Sequence, residues 1–379
     1  MAAKQGISAS RTLTRGQGSR GRVHEGVVTG ALFKITRERA GLTQHGLSEV
    51  LNVDTTTVQG WESGRRPLTA VSSAQFRAIR RALLRHGANP SLLALFDVAM
   101  DADAVLSHAL RDGKGADYEA HPLANWVFTR TSTHMIAWAL NGTTPAALPD
   151  PPPGMPRRRG PTPDGPLLGE PERRAFFEHL RRYAEVADHA GQGGALLRRQ
   201  ALYLCSYDQA PDTHAWIAAM RARQSTTRRN VSWTWADARS LATSLTRYGE
   251  RDALHAFIER MMADEAGELA NLNYWAYWLG LDRLPRGDDS FMGDRSAWDA
   301  GALLGRLVDR LHPDLGCIDL NVHSVWSLLA ARPGVLASDP VLVRRLGERV
   351  THLLDAGSVS PQSRRELDAV HYGLRLNNL

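Results

Sequence analysis

Apolar residues recur at helical spacing through most of this chain. Val28, Leu32 and Ile35 mark the inner face of a first helix over 25–40, and Gly41 ends it as a left-handed C-cap glycine does. Thr43 is a good N-cap for a second helix, whose apolar face is Leu47, Val50 and Leu51. Asn52-Val53-Asp54 makes a turn, with Val53 tucked inward and Asp54 placed to cap a third helix. Val58 and Trp61, three apart, hold that helix (55–62) down, and Gly64 stops it. Thr55, Thr56 and Gln59 then face away from the anchor and are free to meet a ligand.

Further on, Phe76, Ile79 and Leu83 give an apolar face to a helix over 70–86, and Leu92, Leu95, Phe96 and Ala99 to one over 90–111. Residues 112–142 read as a connecting segment of helices broken by Pro and Gly, with Arg130-Thr131-Ser132-Thr133 as a cap and helix start. Residues 143–171 carry Pro-Asp-Pro-Pro-Pro, Arg157-Arg158-Arg159 and further prolines, which make an extended linker. The remainder, 172–379, reads as a regulatory or oligomerisation domain of consecutive helices. They fall at about 171–190, 193–207, 211–224, 233–248, 250–265, 267–280, 296–312, 319–332, 339–355 and 361–375. No convincing period-2 alternation occurs. The expected class is therefore all-α, with a helical bundle or short helical-hairpin array at the C-terminal end.

Composition adds boundaries to this picture. A chain of 379 residues with 43% hydrophobic content is expected to form two or three globular domains. No apolar run is long enough for a membrane span, and the N-terminus lacks the apolar region of a secretory signal. The two cysteines, Cys205 and Cys317, have no metal-ligand spacing, so reduced thiols with neither disulfide nor zinc are expected. The net charge of +6 is unevenly placed: residues 1–90 hold 14 Lys/Arg against 5 Asp/Glu, and the rest 32 against 35. Part of that surplus sits in residues 1–23, a basic arm expected to be disordered. A basic surplus beside two short helices and a tight turn is the layout of a helix-turn-helix that places its second helix in the DNA major groove.

The stretch from Ile35 to Pro67 resembles the phage repressor/Cro-like (XRE) family of regulators. The features that carry the likeness are Arg37, Ala40-Gly41-Leu42-Thr43-Gln44, Leu47, Leu51-Asn52-Val53, Val58, Trp61-Glu62 and Gly64-Arg65-Arg66-Pro67. The resemblance implies a five-helix DNA-binding domain over 24–111. It implies a buried structural ion pair between Arg37 and Glu62, and contacts to DNA phosphate from Gln44, Thr57, Arg65 and Arg66. Gly60 departs from the pattern, because a side chain that reaches a base often stands there. Direct readout then falls on Thr55, Thr56 and Gln59. Gly46 and Gly60 either soften their helices or permit a close approach.

The C-terminal part concentrates aromatics: Trp233, Trp235, Tyr274-Trp275-Ala276-Tyr277-Trp278, Trp298 and Trp326. They serve helix packing or, at Tyr274, Trp275, Tyr277 and Trp278, line an effector pocket. Asn271-Leu272-Asn273, Asp288-Asp289-Ser290-Phe291-Met292 and Asp319-Leu320-Asn321-Val322-His323 resemble the C-terminal region of large actinobacterial regulators of that family. That resemblance names no ligand.

No phosphate-binding loop, dinucleotide fingerprint, zinc-protease helix or nucleophile elbow occurs. His312, His323 and His352 are scattered, and no enzyme, cofactor or metal is expected. The expected function is a sequence-specific transcriptional regulator, homodimeric on paired half-sites in a bacterial cytoplasm and associated with the nucleoid. Its C-terminal domain would receive a small molecule, peptide or protein. The alternative is a DNA-tethered interaction protein whose helical array binds a peptide or protein partner.

Overall fold

The computed structural model describes residues 25–111, 117–151, 165–227, 235–294, 298–337 and 339–376. The expected basic arm (1–23), the three linker arginines 157–159 and Trp233 lie outside them. Helices make up the described fold, and no strand occurs among the described residues.

The N-terminal part contains α1 (Val27–Arg39), α2 (Gln44–Leu51), α3 (Thr55–Glu62), α4 (Ser73–Arg85), α5 (Pro90–Leu93) and α6 (Phe96–Leu110). The helix expected from residue 70 starts three residues later. Leu68–Ala70 forms a separate 3-10 turn, and Ser72 caps α4 by accepting from the Gln75 N–H at 3.2 Å. The single helix expected over 90–111 is two. Asn89 caps α5 through its side chain, and the Leu95 N–H bonds Leu92 at i→i+3, tightening the chain before α6 begins.

Helix α7 (Arg130–Asn141) opens where Thr129 accepts from the Ser132 N–H and closes on Gly142 at φ +76°. It packs on α6 and α1. Beyond it come α8 (Glu170–His189), α9 (Ala195–Cys205), α10 (Thr213–Thr227), α11 (Trp235–Leu245), α12 (Asp252–Met261) and α13 (Glu265–Trp278). The chain ends with α14 (Ala300–Val308), α15 (Ile318–Ala331), α16 (Pro340–Ala356) and α17 (Pro361–Leu376). These ten helices fall where the apolar spacing and turn residues predict them, with ends displaced by a few residues. Helix α8 packs on α9, α9 on α11 and α11 on α12; α12 and α13 meet α15, and α15 and α16 meet α17.

Two features tie the N-terminal helices to this array. Helix α8 packs against α6 as well as α9. The Gln200 side chain on α9 bonds the carbonyls of Leu123 and Trp126 and accepts from the Phe128 N–H, while the Tyr277 hydroxyl donates to the Val127 carbonyl. Residues 121–128 are thereby held between α9 and α13, and one continuous apolar core runs from Val28 to Leu374.

Candidate nucleic-acid interface and the sites around it

Helix α2 begins at Thr43, whose hydroxyl accepts from the Gly46 N–H at 2.9 Å, and ends at Asn52 in the left-handed region (φ 52°). Val53 is half-buried against the core. Asp54 stands at the N-cap of α3, but its side chain makes no capping bond; its carbonyl takes the Thr57 N–H instead. Val58 and Trp61 are buried, and Trp61 meets the edge of Phe33 at 5.9 Å between centroids. Gly30 lets α1 lie across the end of α3: a Cβ there would sit 2.6 Å from the Trp61 carbonyl oxygen.

A short polar network fixes α3 against its neighbours. Buried Glu62 accepts from Arg37 Nε through one oxygen and from Gln44 Nε2, at 2.6 Å, through the other. Arg37 also donates to the Leu42 carbonyl at 2.6 Å. Gln44, which the resemblance assigns to a phosphate, is thus drawn inward in the free chain, and its own oxygen lies 3.4 Å from Gln59 Nε2.

The outward residues of α3 differ among themselves. Thr56 and Gln59 are exposed, while Thr55 is half-buried and shares a 3.0 Å hydrogen bond with Ser48. Thr57 is half-buried and accepts from Arg66 Nη1 at 2.9 Å. Arg65 is exposed, with its Nε on the Ser63 hydroxyl at 3.1 Å. At Gly60 a close approach is what the glycine permits: a Cβ there would meet Arg66 Cδ at 3.0 Å and Cγ at 3.2 Å. The groove left by the missing side chain is filled by the stem of Arg66.

Helix α4 supplies a surface that the sequence reading overlooked. Arg77, Arg81 and Arg85 are exposed at i, i+4 and i+8, and the helix carries no acidic residue. The signal was present as an acid-free arginine spacing, which points one charged stripe outward.

A carboxylate from α6 sits at the start of α1. Buried Asp103 accepts from the Val28 and Thr29 N–H groups at 2.8 and 2.9 Å and from the Thr29 hydroxyl. These amides are among those a helix N-terminus leaves unpaired, and the dipole favours an anion there. Burial pushes the Asp103 carboxyl up to about 6, against the pull of these hydrogen bonds.

Tyr274, Trp275, Tyr277 and Trp278, the expected effector pocket, are core residues, each at most 6% exposed. Helix α13 is buried on nearly every side from Ala270 to Trp278, so its rings pack between helices. Trp275 Nε1 donates to Ser324, and Asn273 bonds the carbonyls of Met292 and Asp294. An open cleft of about 640 Å³ lies elsewhere, along α8 and the segment before α10. Arg181 pairs there with Asp208 and Asp212, and Arg174 with Glu170, while Arg173 reaches the Leu140 carbonyl at 3.5 Å.

Three histidines, His108, His121 and His179, bring ring nitrogens within 4.8 Å of one another between α6, the 121–124 turn and α8. No spacing in the sequence announced them. Burial and mutual repulsion lower His121 to about 3 and His179 to about 4, so both are neutral near pH 7. Nδ1 of His121 accepts from the Leu123 N–H, and Nδ1 of His179 faces the donor Arg182 Nη2. The proton of each neutral ring therefore sits on Nε2, which has no acceptor. This tautomer presents donors, so binding a cation would require both rings to give up the bonds they make.

Residues 29–96 match the family model described as a helix-turn-helix domain. The comparison with curated proteins and that with solved structures each give no match. The matched segment runs from α1 to the start of α6 and makes this part of the chain a helix-turn-helix domain. Such a domain suggests DNA as a partner and is consistent with a transcription regulator. No helix among the described residues is long and apolar enough to cross a membrane.

Proposed function

We propose that this chain is a sequence-specific DNA-binding transcriptional regulator of the phage repressor/Cro-like (XRE) type. It docks α3 in the major groove as one half of a homodimer and works in the bacterial cytoplasm on the nucleoid. The observation that carries this reading is the outward face of α3. Thr56 and Gln59 are exposed there, beside Arg65 and Arg66, which have no carboxylate partner among the described residues. Base readout falls on Gln59 and Thr56, with Thr55 contributing once its bond to Ser48 is exchanged. Thr57, Arg66, Arg65 and Gln44 hold phosphates, and the arginine stripe of α4 extends that footprint.

The test is fluorescence anisotropy of the full chain on a selected duplex and on a random one, over a salt series. The selected site should bind more tightly, with affinity falling steeply as salt rises. Gln59→Ala should narrow the gap between the two duplexes, by roughly 1–3 kcal/mol. Arg66→Ala should weaken both alike and reduce the salt slope by about one. Equal affinity for both duplexes in the parent chain would sink the regulator reading. It would favour a DNA-tethered protein whose helical array binds a peptide or protein.

A further inference from the structure

Most of the deeply buried arginines in this fold come with their own carboxylates. Arg198 pairs with Asp237 and Asp188, Arg199 with Asp289, and Arg37 with Glu62. Arg239 on α11 does not. It is 4% exposed, and its guanidinium carbon lies 4.1 Å from the centroid of Tyr274 and 4.8 Å from that of Trp275. Arg310, just beyond α14, stands 5.6 Å from the same indole. Two guanidiniums therefore share one ring. Among the described residues neither has a carboxylate or hydrogen-bond partner, and Nε of each is buried and unsatisfied.

The positive charge continues outward from this pair. Ring contacts lead from Tyr274 to Trp278, stacked at 6.1 Å, and on to Tyr203, edge-on at 5.6 Å. There Arg247, an exposed residue, lies 4.6 Å from Tyr203 and 3.9 Å from Tyr207 and donates to the Ser206 hydroxyl and the Tyr203 carbonyl and hydroxyl, bonds it would exchange for those of a ligand. Arg130 of α7 is half-buried and also has no acceptor among the described residues. Its ionisation is lowered by burial first and then by repulsion from Arg310 and Arg306. His134, one turn along α7, is lowered to about 4 by burial and by Arg130, Arg310 and Arg247, so it stays neutral and leaves the arginines as the charge. Leaving buried charges uncompensated is costly. Guanidinium forks grouped beside tyrosine rings suit a planar or tetrahedral oxyanion, which each fork can hold through two hydrogen bonds.

We propose that Arg130, Arg239, Arg247 and Arg310 form a binding site for a small multivalent oxyanion, a phosphate- or carboxylate-bearing metabolite, set against the aromatic core of the helical array. The site draws on α7, α11, the turn after α11 and the end of α14. It includes two of the aromatic residues that the sequence singled out, Tyr274 and Trp275, as its floor and not as its walls. The proposal goes beyond DNA reading and does not depend on it.

The test is isothermal titration calorimetry and thermal unfolding of the full chain without DNA. The probes are inorganic pyrophosphate and citrate, at an ionic strength held constant with sodium chloride. One saturable site per chain is expected for at least one probe, and which probe binds separates the phosphate source from the carboxylate source. Arg239→Met and Arg310→Gln should each weaken it roughly tenfold or more. Exposed Arg364→Gln should leave it intact. Without probe, Arg239→Met should melt no lower than the parent chain, because it removes an unpaired buried charge. If Arg239→Met fails to fold, half-buried Arg310→Gln carries the same test. Absence of a saturable site for both probes overturns the proposal, as does a site that survives both substitutions. Stoichiometric displacement of pyrophosphate by duplex DNA would assign the arginines to backbone phosphates, and that too overturns it.

Discussion

Arg66 reaches back over the end of α3 to donate to the Thr57 hydroxyl at 2.9 Å, and it does so across the bare Cα of Gly60. The missing side chain is a seat for a cation that would otherwise swing free. Gly60→Ala separates stability from binding. Alanine favours the helix by up to about 1 kcal/mol, and the atoms it would meet belong to a flexible stem. The variant should therefore melt at the same temperature or higher while binding every duplex more weakly. Thermal unfolding together with anisotropy checks this, and an unchanged affinity would show that the position of Arg66 does not matter.

Glu62 is the joint between α1, α2 and α3. Glu62→Ala leaves buried Arg37 with only the longer carboxylate contact to Glu38, at 3.3 Å, and releases Gln44. The expected cost is on the order of 3–5 kcal/mol, read as a drop in the urea midpoint. Arg37→Met with Glu62→Leu should recover much of that loss. A single-variant loss below about 1 kcal/mol would mean that the pair behaves as an exposed one.

His323 lies buried between two carboxylates, 2.8 Å from Glu366 and 2.8 Å from Glu268. Burial opposes its charge, but the hydrogen bonds and charges of those two residues outweigh it and raise the imidazolium to about 9. The folded value stands above the free value near 6.5, so the stabilisation is fully present below that pH and fades as pH rises through about 9. It is on the order of 3 kcal/mol. Unfolding free energies from urea titrations at about pH 6 and about pH 10 should differ by that amount in the parent chain and much less in His323→Gln. A flat profile in the parent chain would place the titration elsewhere.

Trp275 is core and its Nε1–H is held by Ser324. Trp275→Ala should lower stability by roughly 3–5 kcal/mol, seen in denaturant unfolding. Trp275→Phe should recover most of the packing and leave Asn271 Nδ2, at 2.9 Å, as the remaining donor to the Ser324 hydroxyl. A loss of under 1 kcal/mol for alanine, near that of an exposed side chain, would argue against a packed α13.

The helices were legible because each carries its own punctuation. Thr43, Thr129 and Gly142 sit where caps belong, and apolar spacing marks each inner face. What the sequence leaves open depends on partners far along the chain. Gly60 reads as a gap, and nothing nearby says that Arg66 fills it. The run from Tyr274 to Trp278 reads equally well as lining or as filling, until α11 and α15 close around it. Thr29 and Asp103 are 74 residues apart in sequence, so no local pattern joins them. The three histidines and the unpaired arginines are likewise assembled from separate elements, each unremarked on its own helix.

The carboxylate of Asp103 has a mechanical consequence. It grips the first turn of α1 from α6, the helix against which α7 and α8 also lie. The helix-turn-helix, the head of the molecule, is therefore clamped to its frame and does not hang from it on a hinge. Glu62 ties α3 to α1 through Arg37, so tilting those two helices away from α6 would break the buried bonds at that clamp; under the proposed function, a signal from the later helices would turn head and frame together. In a pair of such chains, the distance between two DNA half-sites would be gauged by the girth of the whole body.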